Sequence, residues 1–413
     1  MTAWSPDWKL TVAGVDYTDI AISDIQHEAG RSDIYQQPNP SYIQVSFVAL
    51  SGQTLPFDIN DSLSLQVKNS AGTYVNLFGG DITDVTVSVQ QTGGIATVVE
   101  YSVLAMGSLV KLAKELYLGT ISQDEDGNQI YDLLSSVLLG TWNDVPAATT
   151  WSGYDATETW ANAQNVGLGE IDQPGDYELT ARSSSEIDVY SLISGLATSG
   201  LGYIYEDAQG RICYADATHR SQYLAANGYT EVSASHALSK GIATSRRIGD
   251  IRNKVSITHK NGGIATAQDD TSIAIYGQQG QNITTSIENT VDAESQADFY
   301  LALRAYPQSL FKSITFELTN PEIDDADRDA LIGVFMGLPL YITDLPANLA
   351  GGSFEGFVEG WSFNAGFNKL SVTLNLSPVA FSLQYMKWLD VGVAETWNTL
   401  NPTLEWIDAT IVA

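Results

Sequence analysis

Apolar and polar residues alternate with period two in several short stretches, and one succession of such stretches occurs near both ends of the chain. Near the start, Tyr42-Ile43-Gln44-Val45-Ser46-Phe47-Val48 alternates, as does Leu63-Ser64-Leu65-Gln66-Val67; Phe78-Gly79-Gly80-Asp81-Ile82 and the run from Ile95 to Ala105 follow. Near the end, Phe311 to Leu318 precedes Leu338-Pro339-Leu340-Tyr341-Ile342, Phe354-Glu355-Gly356-Phe357-Val358 and Leu370 to Leu376. Alternation puts every second side chain on one face, so each set predicts a small antiparallel sheet or barrel with one buried face. The spacing is similar in the two sets, except for a helix-like stretch inserted in the second. Two like units on one chain let an odd-numbered ring present an even number of similar parts.

Between these units the period changes. Ser108 is placed to cap a helix from Leu109 to Leu116, and Ile130, Leu133, Leu134, Val137 and Leu138 predict a second helix after an acidic turn, Asp124-Glu125-Asp126-Gly127-Asn128. A third is predicted over 186–198, with Ser185 as its cap and Gly200 as its stop. Tyr203-Ile204-Tyr205 and Arg211-Ile212-Cys213-Tyr214 flank Asp207-Ala208-Gln209-Gly210 and predict a hairpin. Lys254 to Thr258 and Thr271 to Tyr276 read as strands. Further helices are predicted from about 292 to 305, capped by Asp292, and from Pro321 to about Phe335. The stretch 140–182, with Trp142, Trp151, Tyr154 and Trp160, follows no period and reads as an irregular insertion.

The expected fold is therefore mainly β with α+β insertions, built on two tube-like antiparallel β-barrel or sandwich domains. The first spans residues 1–107 and the second, with helices, 241–378. Helical and mixed insertion domains occupy 108–240, and 379–413 form an aromatic tail. Trp388, Trp397 and Trp406 stand nine residues apart in that tail, which suggests docking onto another surface or packing back onto its own domain.

Composition narrows the function. The chain has 413 residues with 44% hydrophobic content, and it carries 49 acidic against 19 basic side chains, a net charge of −30. Such a surface repels phosphates and anionic membranes, so nucleic-acid recognition by contact is not expected. High net charge also keeps a protein dispersed; a sharper use is a wall past which DNA slides without sticking. No uncharged apolar run approaches the roughly 20 residues of a membrane span, and the first residues lack the pattern of a signal peptide. The single cysteine, Cys213, excludes an intrachain disulfide.

Candidate chemistry is sparse. His27, His219, His236 and His259 are scattered, with no i+3 or i+4 partner, and no phosphate-binding loop, nucleophile elbow or helical zinc pair occurs. No catalytic, cofactor-binding or metal-ligating residue is assigned. Set as an EF-hand, the run 124–128 puts Leu133 where a bidentate Glu is needed, so that reading fails. Glu170 and Asp172, with the Trp-rich stretch 142–160, would suit a carbohydrate-binding adhesin or glycan hydrolase, which needs two carboxyls across a sugar cleft. One basic cluster stands out: Arg246, Arg247, Arg252, Lys254 and Lys260, with His259. It reads as a contact with the acidic face of a neighbouring subunit, or as strand residues facing water. Arg246, Arg247, Arg252, Lys254, Trp388, Trp397 and Trp406 are the interface candidates.

Several segments in order resemble the tail-hub proteins of long-tailed bacteriophages, known as baseplate hub or minor tail proteins. They are Asp33-Ile34-Tyr35-Gln36-Gln37-Pro38, Ile59-Asn60-Asp61, Phe78-Gly79-Gly80-Asp81-Ile82-Thr83-Asp84, Gly210-Arg211-Ile212-Cys213-Tyr214-Ala215-Asp216, Arg252-Asn253-Lys254-Val255 and Thr396-Trp397-Asn398-Thr399-Leu400-Asn401. The resemblance implies a homotrimer, two tube-like domains per subunit, forming a pseudo-sixfold ring in the virion's tail tip. It implies a structural protein and not an enzyme, made in the host cytoplasm and using no cofactor. Its implied partners are the distal tail protein ring, tail tip or fibre proteins and the tape measure protein, with DNA passing through without specific binding. Three copies of −30 give a trimer −90 in total, and those carboxylates that face a channel would repel phosphates over a Debye length of about 8 Å. A hexameric distal tail protein, usually with one tube-like domain, is the nearest structural alternative.

Overall fold

The computed structural model describes residues 4–17, 21–32, 34–49, 55–89, 99–140, 168–238, 243–245, 248–307, 310–347, 352–366 and 368–379. Thirteen strands form one large sheet. In chain order they are β1 (Trp8–Val12), β2 (Val15–Tyr17), β3 (Ala21–Gly30), β4 (Asn39–Ala49), β5 (Ser62–Lys68), β6 (Tyr74–Val89), β7 (Val99–Met106), β8 (Thr230–Ser233), β9 (Ala243–Ser245), β10 (Leu310–Glu317), β11 (Pro339–Thr343), β12 (Phe354–Gly366) and β13 (Lys369–Pro378). Alternation builds the buried face. Ile43, Val45 and Phe47 of β4 are fully buried, as are Ile314 and Phe316 of β10, and each contributes about 1.5–3 kcal/mol by leaving water.

The strand order is β9-β10-β13-β12-β3-β4-β7-β6-β5-β1-β2, with β11 and β8 branching from β12. The succession seen twice in the sequence is a duplication of topology: β4-β7-β6-β5 in the first unit matches β10-β13-β12-β11 in the second, all antiparallel. The match extends to register. Val103 lies opposite both Val45 and Val85, as Leu374 lies opposite Ile314 and Trp361. Leu65 faces Phe78 as Ile342 faces Phe354. Even the bulge recurs, between Ile82 and Asp84 in β6 and between Val358 and Gly360 in β12. Beyond these four strands, β3 flanks β4 as β9 flanks β10. The outermost strands differ in direction, since β1 runs antiparallel to β5 while β8 runs parallel to β11.

The two units are joined edge to edge through β3 and β12 and share one apolar cluster. A second cluster fills the middle of the chain. There the strands Leu168–Ile171, Ile212–Ala215 and Tyr203–Glu206 form a small sheet packed with the helices Asp126–Gly140 and Val189–Ser199. Another small sheet, Gly263–Gln268, Lys254–His259 and Gly280–Thr284, carries the helix Thr290–Arg304.

Local chemistry moved several predicted boundaries. The first helix is only Leu109–Leu112: Ser108 Oγ donates to Gly210 O, and the Glu206 carboxylate takes the Leu109 N–H instead. Leu116-Tyr117 then pairs as a strand with Ile187-Asp188. The acidic run 124–128 is not a turn. Asp124-Glu125 pairs with Glu178-Leu179, and Asp126 opens the next helix. Asp188, not Ser185, caps the third helix by accepting from Ser191 N at 2.7 Å, while Gly200 ends it as expected. Thr271 to Tyr276 is a helix, Asp270–Tyr276, despite its β-branched residues. Asp269 caps it through Ser272 N, Ser272 Oγ donates to Ala305 O at 2.5 Å, and Gly277 at φ +74° stops it. The last two helices run Thr290–Arg304, with Asn289 in the capping place, and Asp325–Ile332, capped by Asp324. The predicted hairpin is present as Tyr203–Glu206 against Ile212–Ala215.

Candidate assembly site

The seam between the units is an antiparallel ladder running from Gly30 opposite Gly360 to Ile25 opposite Ala365. Its first rung needs glycine. Gly30 sits at φ +85°, and a Cβ there would come within 2.4 Å of Glu359 O. Further along, His27 stacks on Phe363 with ring centroids 6.0 Å apart and meets Phe78 edge-on at 5.4 Å. Its Nδ1 lies 2.9 Å from Tyr42 O. Burial pushes the His27 pKa down to about 4, so the ring stacks as a neutral group.

The bulge in β12 turns Glu359 into the interior, breaking the alternation of the strand. Its carboxylate accepts from Arg31 Nε at 2.7 Å, from Arg220 at 2.7 and 3.0 Å, and from Ser377 Oγ at 2.5 Å. Arg31 follows β3, Arg220 lies on the helix His219–Asn227, and Ser377 on β13, so one carboxylate ties four segments. Both guanidiniums also lie over the Tyr203 ring, at 5.1 and 4.5 Å. Burial opposes ionisation of Glu359, but Arg220 and Arg31 overcome it and hold the group well below the usual carboxylate range. No reading of the sequence singled out this cluster. Its one signal was Glu359 itself, an acid inside the apolar run Phe357 to Phe363.

Besides the end strands β2 and β8, two edges stand open among the described residues. β9 is a further end strand of the sheet. β6 pairs with β5 only as far as Asp81, then runs on to Val89 with β7 on one side and no strand on the other. Val87 and Val89 there are each 54% exposed. The solvent face around both edges is made of hydroxyls with an amide and an acid: Gln44, Asp84, Thr86 and Ser102 in one unit, Ser362, Thr373 and Thr315 in the other.

Of the interface candidates, Arg246, Arg247, Trp388, Trp397 and Trp406 lie outside the described residues, as does the Trp-rich stretch 142–160. Arg252 donates to Gln281 Oε1 and to the carbonyls of Gly249 and Ile251. Lys254 is half-buried on the strand Lys254–His259, and Lys260 pairs with Glu288. Glu170 and Asp172 flank Ile171 and are buried, not spread across an open cleft. They meet His219, which the sequence left without a partner because 47 residues separate it from Asp172.

The sequence matches no protein-family model and no curated protein. In structure, the chain is similar to the tail protein from Neisseria meningitidis MC58, with a TM-score of 0.57 at 10% identity over 90% of this chain and 96% of that one. It is similar also to the 43 kDa tail protein of prophage MuSo2 from Shewanella oneidensis, with a TM-score of 0.54 at 11% identity over 91% and 99%. No helix among the described residues is long and apolar enough to cross a membrane. Over nine-tenths of its length, the chain has the fold of these tail proteins.

Proposed function

We propose that the protein is a structural tail hub, a homotrimer whose six β-modules form a pseudo-sixfold ring around a DNA channel in the virion. The observation that carries this reading is the duplicated register together with the seam between its copies. Within one chain, the far half of β12 pairs with β3. The equivalent far half of β6 and the equivalent flanking strand β9 are two edges left open. A contact of one chain's β6 with the next chain's β9 repeats the in-chain seam, and such a head-to-tail contact gives a ring when its rotation closes, here after three copies. Duplication disfavours a hexamer with one module per chain.

In this reading the modules are 1–107 and 241–378, the latter completed by β8 from the end of the insertion 108–240, whose remainder lies outside the ring, and 379–413 is a docking tail. Arg246 and Arg247, directly after β9 in sequence, meet acidic groups such as Asp84 of the neighbour. Partners above and below are the distal tail ring, tape measure and tip or fibre proteins. The hydroxyl, amide and carboxylate face of the sheet lines the channel and leaves DNA phosphates without cations to grip; the protein is not an enzyme.

The register fixes the test. Thr244 stands opposite Phe311 as Glu28 stands opposite Tyr42, and Glu28 pairs with Ser362, whose equivalent in β6 is Thr86. Thr86 of one copy therefore faces Thr244 of the next, at the roughly 4.5–5.5 Å Cα spacing a disulfide accepts. Thr86→Cys with Thr244→Cys is expected to give covalent trimers on oxidation, and each single variant none; Cys213 is buried and does not compete. A chain that stays monomeric by sedimentation, alone and in tail particles, overturns the reading.

A further inference from the structure

We propose that Glu170, Asp172 and His219 bind a divalent transition-metal cation of the zinc or manganese class. Glu170 and Asp172 stand on either side of Ile171, which pairs with Tyr214 in the small parallel ladder. Asp172 N donates to Tyr214 O at 3.1 Å, fixing the backbone there. His219 opens the helix His219–Asn227. One ligand atom from each residue lies within 4.8 Å of the others, and all three residues are buried, at 3, 4 and 8% exposure.

Two observations point beyond a hydrogen-bonded cluster. Glu170 Oε2 is buried and has no hydrogen-bond partner. A buried carboxyl oxygen left unsatisfied is unfavourable by about 1–3 kcal/mol, and a cation among these three groups removes that penalty. Glu170 also lines a cavity of about 430 Å³, together with Asp207, Arg211, Tyr223 and Phe335, which gives an ion a route in and room for water as a further ligand. The donor set suits the ion: an imidazole favours zinc and its neighbours, carboxylates favour manganese and other oxygen-seeking ions, and thiolate is absent.

The arrangement inside the set is also that of a ligand group. Asp172 Oδ2 accepts from His219 Nδ1 at 2.6 Å and from Asp216 N at 3.0 Å. The cation would take the place of the proton between these two atoms, with Nδ1 and Oδ2 as ligands, so the pair need only open from 2.6 Å to the roughly 3–4 Å spacing of ligands around one ion. Ligand atoms held 2.0–2.2 Å from one ion lie no more than about 4.4 Å apart, so small side-chain rotations suffice to close the site. Bound there, the ion would pin the strand Leu168–Ile171 to the helix beginning at His219.

The test uses the full-length chain, stripped with EDTA and dialysed, then titrated separately with Zn²⁺, Mn²⁺ and Co²⁺. The expected result is about one equivalent bound per chain, a Tm that rises with metal and falls with EDTA, and for Co²⁺ a visible absorption band characteristic of nitrogen and oxygen ligation. Glu170→Gln removes one carboxylate ligand oxygen while keeping the shape, and is expected to weaken binding about tenfold or more. Glu178→Gln, an acid away from the cluster, is expected to bind as the wild type does. Stripped wild type that is folded by circular dichroism yet shows neither uptake nor a Co²⁺ band overturns the proposal. Unchanged affinity in both Glu170→Gln and His219→Asn does so too.

Discussion

Glu359→Gln removes the charge at the head of the seam while keeping nearly its shape. Two guanidiniums share that carboxylate, each within 2.7 Å, and Arg31, Arg220 and Glu359 are 8, 4 and 2% exposed. Breaking a buried ion pair by removing one partner costs about 3–5 kcal/mol, mostly from the charge left behind. Here two cations lose their counter-ion, which argues for the upper end, about 5 kcal/mol. At about 2–4 °C per kcal/mol for a unit of 150–250 residues, the expected fall in Tm at pH 7 is roughly 10–20 °C. The pH dependence has a defined sign. Glu359 titrates near 4.5 when unfolded and well below that when folded, so its stabilisation is complete above the unfolded value. That stabilisation is lost as pH falls through the lowered folded value. The gap between wild type and variant should therefore be widest at neutral pH and narrow in acid. Calorimetric melts at pH 7 and in mild acid measure both effects. A variant melting within about 2 °C of wild type at pH 7, or a gap that widens in acid, would refute the argument.

Other consequences are local. Asp126 is fully buried, and burial pushes its pKa up to about 7 against the donors Tyr214, Asp176 N and Tyr177 N. The folded state then holds a proton that the unfolded state releases above about pH 4, so stability contributed here falls between roughly pH 4 and 7. Asp126→Asn, which mimics the protonated form, should flatten that slope in urea melts across the window. Gly30→Ala puts a Cβ 2.4 Å from Glu359 O at a positive φ. It should cost more than about 1 kcal/mol, read as a lowered Tm and faster proteolysis near residue 30. Phe363→Ala removes a fully buried ring that stacks on His27; a loss of about 3–5 kcal/mol is expected in denaturant titrations.

How far the sequence was legible follows from the range of the forces involved. Alternation is local, so β4, β5, β10 and β13 were found close to their observed limits. Their order also exposed the duplication, since equivalent strands recur in equivalent places. Capping was less legible: Ser108 and Ser185 looked like caps, but Glu206 and Asp188 took those roles through contacts set by the surrounding fold. Thr271 to Tyr276 has strand composition, yet the Asp269 cap and the bond from Ser272 to Ala305 O fixed a helix. The clusters were hardest to see. Glu359 meets Arg220 across 139 residues and Arg31 across 328, and no spacing rule reaches that far. The sequence also gave no sign that the two β-units would fuse into one sheet, because edge pairing depends on backbone geometry rather than on side-chain pattern.

The two equivalent seams are built unequally, and that difference bears on assembly. At the in-chain seam the bulge residue is Glu359, locked by two arginines, and the paired face carries Phe363 and His27. At the equivalent positions of β6 the bulge residue is Thr83, and Val87 replaces the phenylalanine. The first seam is sealed once, as the chain folds, and a buried ion cluster there is tolerable because its partners arrive already tethered. A seam between separate chains that had to bury charges would face their desolvation at each encounter, whereas Thr83, Thr86 and Val87 offer a plain ladder with modest apolar cover. On the proposed assembly the two seams should therefore fail separately. Thr86→Pro at the β6 edge is expected to abolish trimers by sedimentation while shifting the monomer's Tm far less than Glu359→Gln does. If Thr86→Pro unfolds the monomer as severely, or leaves the trimer intact, β6 is not the edge that meets the next subunit.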